Sequence, residues 1–523
     1  MLQSRRNLLK TSSAILMAAL LPYKAFAQAT SDTVKRGGIL KNSVDFQLKS
    51  IDPIVGGAAA ADRLVYYQFY DSLLRVGPTG LLEPGLAENW AVSDDKLTVT
   101  MKLRQGVMFH DSEPFNAEAA AFNLNRLLDP NLDASAIGHA NDLKGVVSVT
   151  ASGDYDLEIK LDAPSGPLLA NLAVEAGMMC SPKAIADYGD DYGANPVGTG
   201  PFKFKEWIRD SHVSGVKNEN YWRAGVDGEA LPYLDGFETR FISINATKIV
   251  ELESGGLHLV DTLTARDGKS LEGKDGIYLI EAPQAQLSWL NFATQKAPFD
   301  NVDVRRAFVC AIDKQGLLNA ISLGVGFVPP FWFAKSEWAF SDTPAPDSYN
   351  PELAREYLEK SGVALPLKVK MNVIQRDPDA QIAQLVQGQL AEIGVEAEIN
   401  IMERQAWLAA YKSGEHEFGI GRFPIPFLDP HQVCSVIIGP GAGANFSNVD
   451  DPELAQWVTD ARVETDQGKR KEIYNKIQAR CVDEAYMSML LARGVLYAAR
   501  TDISGIVLDP NGSWFLEGAF LTA

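Results

Sequence analysis

Gln286 to Asp313 reads QLSWLNFATQKAPFDNVDVRRAFVCAID. It starts as an extended apolar segment, passes through a turn rich in Pro, Asp and Asn, and ends where Val304, Ala307, Phe308, Ala311 and Ile312 recur at helical spacing. Asp303 is placed to cap that helix or to put negative charge in its first turn. Strand, turn and helix in this order suit a passage of the chain from one lobe to another; a plain strand-turn-helix unit is the alternative.

The chain has 523 residues, too many for one core, and the length allows about three domains of ordinary size. With 46% hydrophobic and 22% charged residues it has a globular composition. The formal charge of -19 becomes -23 once the four basic residues among the first 27 are set aside. A surface this acidic repels nucleic acid and anionic lipid, so neither is expected as a partner.

Those first 27 residues have the layout of an export leader. Ser4-Arg5-Arg6-Asn7-Leu8-Leu9-Lys10 matches a twin-arginine pattern, an apolar run follows from Ala14 to Leu21, and Ala25-Phe26-Ala27 offers an A-x-A cleavage site. The run is too short to span a membrane and holds no cysteine for a lipid. A soluble periplasmic protein starting near Gln28 is expected. In that oxidising compartment Cys180, Cys310, Cys434 and Cys481 allow three pairings, with burial as free thiols the open alternative. None forms a C-x-x-C pair, so no zinc or redox centre is expected.

Along the mature chain, Gly37 to Val44 has the pattern of a strand and Ala58 to Leu74 that of a helix. Leu97, Val99, Met101 and Leu103 alternate as a half-buried strand, and a helix begins at Ala117. In the second half, Asn350-Pro351-Glu352 opens a helix that Gly362 closes. Strands over Leu367–Val373, Val395–Ile401 and Phe418–Gly421 then alternate with helices over Asp377–Gly394 and Arg404–Lys412. That order predicts a sheet with parallel neighbours and helices packed on it.

Three stretches together carry a resemblance: Leu86-Ala87-Glu88-Asn89-Trp90, then Leu103-Arg104-Gln105-Gly106-Val107-Met108-Phe109-His110-Asp111, then Pro114-Phe115-Asn116-Ala117-Glu118. They are similar to the signature of the family 5 solute-binding proteins of ABC importers, with Ser112 where the family usually has glycine. The likeness continues through Gly198-Thr199-Gly200-Pro201, Asn220-Tyr221-Trp222, Glu251 to Asp261, and Val304-Arg305-Arg306-Ala307. The resemblance implies an α/β, two-lobed periplasmic binding protein with an extra N-terminal subdomain, mixed sheets in each lobe and a ligand cleft between them. The expected division is 28–72, 195–287 and 495–523 for lobe I, 73–194 for the extra subdomain, and 288–494 for lobe II. It also implies a small-molecule ligand, delivery to an inner-membrane permease and ATPase complex, a monomeric state and no cofactor.

Open α/β sheets bind ligands beyond the carboxyl ends of their strands. This points to the loop at Gln375-Arg376-Asp377 and to the loop from Arg422 through Phe427, Asp429, Pro430 and His431. Arg376 or Arg422 is suited to fork onto a carboxylate or phosphate, and His431 to hydrogen-bond or ligate. Trp289 and Asn291 are expected at the cleft floor, with Trp289 and Phe427 as apolar walls. Peptide-binding relatives carry an aspartate a few residues before the Asp-Pro pair; Phe423 to Phe427 has no acid, which leaves Asp429 as the candidate. The expected ligand is therefore a peptide-like or opine-like organic solute. The alternative is a metal chelate, the one case in which His431 meets a metal. No G-x-S-x-G or H-E-x-x-H pattern occurs, so a secreted hydrolase is the weaker reading, and a periplasmic chaperone a third.

Overall fold

The computed structural model describes residues 34–522, apart from 57–59, 78–79, 132–141, 336, 344 and 426–427. The leader expected over residues 1–27 and Phe427 lie outside the described residues.

The main sheet is assembled from β1 (Ile39–Val44), β2 (Phe202–Ile208), β3 (His212–Lys217), β4 (Gly236–Phe241), β5 (Leu259–Leu263), β6 (Ile277–Phe292), β7 (Gly326–Phe327), β8 (Leu367–Ile374), β9 (Val395–Met402), β10 (Phe418–Ile425) and β11 (Met487–Arg500). Their order is β9-β8-β10-β6-β11-β5-β1-β4-β3-β2, with β7 added to β11. Both parallel pairs, as between β8 and β9, and antiparallel pairs, as between β6 and β11, occur in it. The sheets of the two lobes are thus one continuous mixed sheet. β6 and β11, 16 and 14 residues long, hold it together as an antiparallel pair from Ile277 opposite Arg500 to Asn291 opposite Met487. A separate four-stranded sheet built from Ala87–Val92, Thr98–Leu103, Val146–Gly153 and Asp156–Leu161 lies within the 73–194 segment.

Each region buries its own apolar set. One core gathers β1 and β4 with the C-terminal residues Trp514, Leu516 and Ala519. A second belongs to the four-stranded sheet. Two more flank β6: Leu290 and Phe292 face one with Phe308 and Ile382, while Leu287 and Trp289 face the other with Trp332 and Ile477. The alternation along β6 follows from the two-residue period of a strand buried on both faces.

Most of the expected elements form, and the differences have local causes. The helix after β6 spans Val302–Cys310, but its cap is Asn301, whose side chain accepts from the Asp303 N–H; Asp303 supplies the first-turn charge. Within the helix expected over Ala58–Leu74, the described residues are α-helical from Arg63 to Phe69. The Phe69 carbonyl accepts from Gly200 N–H at 3.0 Å, and Leu74–Val76 then pairs as a strand with Leu82–Pro84. Gly198 and Gly200 permit that approach, since a Cβ on either would collide with Phe69 backbone atoms. His110 is a staple for the same loop: its Nδ1 accepts from Gly198 N–H at 3.3 Å, and Nε2 meets the Gly200 carbonyl at 3.0 Å. The four cysteines are buried free thiols, so none of the three possible pairings forms; Cys180, Cys310 and the Cys434/Cys481 pair sit in three different cores.

Candidate functional site

β8 delivers its carboxyl end next to the N-terminus of α1 (Asp379–Ala391), where Asp379 stands in the first turn. Asp379 is fully buried. Arg376 Nε donates to it at 2.5 Å and Arg422 Nη1 at 3.2 Å, while Arg422 Nη1 also reaches the Asp377 carbonyl at 2.9 Å. Both arginines expected from the sequence are therefore brought together on one carboxylate.

A third guanidinium joins them. In the strand registers, Arg422 of β10 lies opposite Ser288 of β6, and Arg493 of β11 lies opposite Gln286. Gln286 and Ser288 are two residues apart and so share a face, which brings both arginines to the side of the sheet on which α1 packs. Nε of Arg493 is buried without a hydrogen-bond partner. Burial, and then the like charge of Arg422, hold the Arg493 guanidinium down to about 10; Arg376 acts the same way and Asp379 opposes them. Arg422 is lowered as well, chiefly by burial. The Ser288 hydroxyl, fully buried on this face, is also unpartnered. Three guanidiniums, a helix N-terminus and an unpartnered hydroxyl thus belong to one side of the sheet, and they are groups of the kind that hold a carboxylate or phosphate oxygen by charge-assisted hydrogen bonds.

The other candidates are placed differently. Trp289 is 1% exposed, stacked on Phe423 at 5.5 Å and edge-on to Trp332 at 6.3 Å. Gly421 opposite it leaves room for the indole, which a Cβ there would meet at 2.6 Å. Trp289, expected at the cleft floor, is a buried ring here, covered by half-buried Phe423, which lies opposite Leu287 and so on the other face of the sheet from Arg422. Asn291 is likewise fully buried and donates to the Gly419 carbonyl at 2.8 Å across the strand pair. Asp429 caps the Pro430–Ile437 helix and is held by both terminal nitrogens of Arg470 at 2.6 and 2.7 Å. With its charge matched inside the protein, it is poorly suited to receive a ligand amine. His431 beside it is kept neutral, down to about 4, by burial and by Arg470, Arg462 and Lys144, with Asp429 opposing; its Nδ1 is buried and unpartnered.

Arg493 and Asp379 were not singled out from sequence. Arg493 carried a signal: it is the one charged residue between Met487 and Ala499 in a strand that is otherwise apolar or small. Asp379 carried none, because acids in a first helical turn are commonplace.

A family profile described as "Bacterial extracellular solute-binding proteins, family 5 Middle" matches residues 82–445. The chain belongs to this family. A glutathione-binding protein of Escherichia coli O6:K15:H31 is 31% identical over 468 residues, 87% of this chain and 89% of that protein. The periplasmic binding protein DppA of Helicobacter pylori, solved in complex with the peptide STSA, superposes with a TM-score of 0.73 at 25% identity, covering 94% of this chain and 99% of the other. AgaA of A. tumefaciens R10, solved with agropinic acid, gives a TM-score of 0.72 at 24% identity over 92% and 99% of the two chains. The two-lobed fold is therefore that of the periplasmic binding proteins. Family 5 members are transport binding proteins that take small ligands such as peptides and work with ABC permeases, and this chain is a substrate-binding component of such an importer. Among the described residues no helix is long and apolar enough to cross a membrane, and no group of three or more His, Cys, Asp or Glu side chains could hold a metal ion.

Proposed function

We propose that this protein captures a small carboxylate-bearing organic solute, peptide-like or opine-like, and that the carboxylate seats on Arg493, Arg422 and Arg376. The observation that carries the reading is the Arg493 guanidinium, buried at Nε with no partner and surrounded by more positive than negative charge. Leaving such a group unsatisfied costs stability, and a ligand anion relieves that cost. Glutathione, a peptide and an opine, named for the relatives, all bring carboxylates. A metal chelate is the weaker reading, since the positive charges of Arg470, Arg462 and Lys144 act on the His431 ring and disfavour a cation there.

The rest of the reading is architectural. The leader exports the protein through the twin-arginine route to the periplasm, where it works as a soluble monomer without a catalytic role. Segments 28–72, 195–287 and 495–523 act as lobe I, 73–194 as a subdomain riding on it, and 288–494 as lobe II. Ligand favours the closed arrangement by binding it better, and the closed complex is what the permease and ATPase receive. Native mass spectrometry of protein taken from its own periplasm identifies the solute, and small-angle scattering with and without it should show compaction. Arg493→Ala should weaken its binding by about 1.5–3 kcal/mol, roughly 10- to 150-fold. An unchanged scattering profile at saturation, or unchanged affinity in the variant, would refute the closing mechanism or the placement of the carboxylate respectively.

A further inference from the structure

The charge balance of the arginine cluster goes further than a single carboxylate, and this step rests on the reading just proposed. The charges acting on Arg493 are those of Arg422, Arg376 and Asp379. Exposed Asp377 lends Arg422 its backbone carbonyl only and is not among the charges acting on Arg422 or Arg493. Three guanidiniums therefore face one carboxylate, and the N-terminus of the 13-residue α1 adds positive potential of the same sign. Arg422 and Arg493 approach from strands on opposite sides of β6. One carboxylate gripped as a fork saturates one guanidinium edge. A ligand with a single carboxylate thus leaves a second buried or half-buried guanidinium unmatched, as well as the Ser288 hydroxyl.

We propose that the solute brings a dianionic terminus to this cluster: two carboxylates on the carbons that flank one nitrogen, as in an N-carboxyalkyl amino acid, or one phosphomonoester. Either chemistry matches the two positive charges that Asp379 leaves over. Arg493 is then a specificity-determining residue, separating dianionic from monoanionic ends of otherwise similar solutes.

The test is isothermal titration with a matched set of probes: an N-(1-carboxyethyl) amino acid, its monomethyl ester, the parent amino acid, the O-phosphorylated counterpart of a hydroxyl amino acid, and a dipeptide with one carboxylate. The expected result is that the diacid, the phosphomonoester or both bind at least 30-fold tighter than the members with a single carboxylate and no phosphate. Which of the two does so identifies the source of the charge. In Arg493→Gln the advantage should shrink below threefold. The diacid and its monoester are compared on the wild-type protein, so the test remains decisive even where Arg493→Gln fails to fold. Diacid, monoester and phosphomonoester binding within threefold of one another would overturn the dianion inference and leave the carboxylate reading standing. The same inference falls where the native solute proves to carry no phosphomonoester and no more than one carboxylate. Absence of saturable binding by every probe, together with no co-purifying solute, would remove both.

Discussion

Trp289, 1% exposed between Trp332 and Phe423, illustrates how a single ring can be assigned to packing or to recognition by its exposure. Trp289→Ala empties the centre of a core that also holds Leu287, Phe331 and Ile477. It should cost about 3–5 kcal/mol in urea unfolding, while ligand affinity measured on the folded fraction changes less than it does in Arg493→Ala. The opposite order would return Trp289 to the cleft. Asp62 presents a different residue-scale test. It is buried beside Glu175, whose one oxygen pairs with Arg63 Nε at 2.7 Å and whose other has no partner. Burial, and then the Glu175 charge, push the Asp62 carboxyl up to about 7. A carboxyl raised in the folded state keeps its proton while the unfolded chain loses one, so its contribution declines as pH rises from about 4 to about 7. The stability of the wild type minus that of Asp62→Asn should accordingly fall by on the order of a few kcal/mol between pH 4 and pH 7. A flat difference across that range would show that Asp62 is ionised throughout.

β6 and β11 are the elements that turn two lobes into one sheet, and the return strand also carries Arg493 into the site. Short β7 braces that arginine: Gly326 lies opposite Arg493 with φ of 111°, and a Cβ there would collide with the Ala492 carbonyl oxygen. Gly326→Ala should therefore cost about 1–3 kcal/mol through backbone strain and push β7 off β11. Ligand affinity should fall with melting temperature, because the same strand positions Arg493. Loss of stability with full affinity would separate the brace from the site. Elements of this kind differ in how legible they were. The helices capped by Asn350 and closed by Gly362, and the strands over Leu367–Ile374 and Val395–Met402, follow from local caps and period, and they form as read. The strand and the helix after it in the 286–313 stretch were legible for the same reason. The union of both lobes in one sheet was not, since pairing across some 200 residues leaves no local pattern. Among the candidate residues, Arg376 and Arg422 could be picked out because loops at strand ends are where ligands bind. Arg493 gained its meaning only from the register that sets it beside Gln286, and Asp429 lost its expected availability only through a partner 41 residues away in sequence, Arg470.

Across the whole molecule, the 73–194 segment contacts the 428–470 region, although its own sheet is separate. Gly166 N–H donates to the Arg462 carbonyl at 2.6 Å, Arg470 Nη1 reaches the Gly166 carbonyl at 3.4 Å, and Lys96 pairs with Glu464 at 2.8 Å. Leu428, in the loop before the Asp429-capped helix, packs against the core of the four-stranded sheet. On the lobe division and closing mechanism proposed above, these bonds join segments that part on opening, and they would then contribute to the closed arrangement alone. Glu464 is preset for the contact: the Asp466 N–H and then Lys96 hold its carboxyl down at about 2. The Lys96 pair is partly exposed, so its share is about 0.2–1 kcal/mol and is screened by salt. Because affinity for ligand includes the free energy of closing, Lys96→Ala should weaken binding by about 1.5- to 5-fold. Lys96→Glu, which sets like charges against each other, should weaken it further. Both effects should shrink at 1 M salt, where the screening length is about 3 Å, and the unfolding midpoint of the ligand-free protein should move less than in Trp289→Ala. Equal affinity of Lys96→Glu and wild type at low salt would mean that the segment follows the closing of the lobes without favouring it.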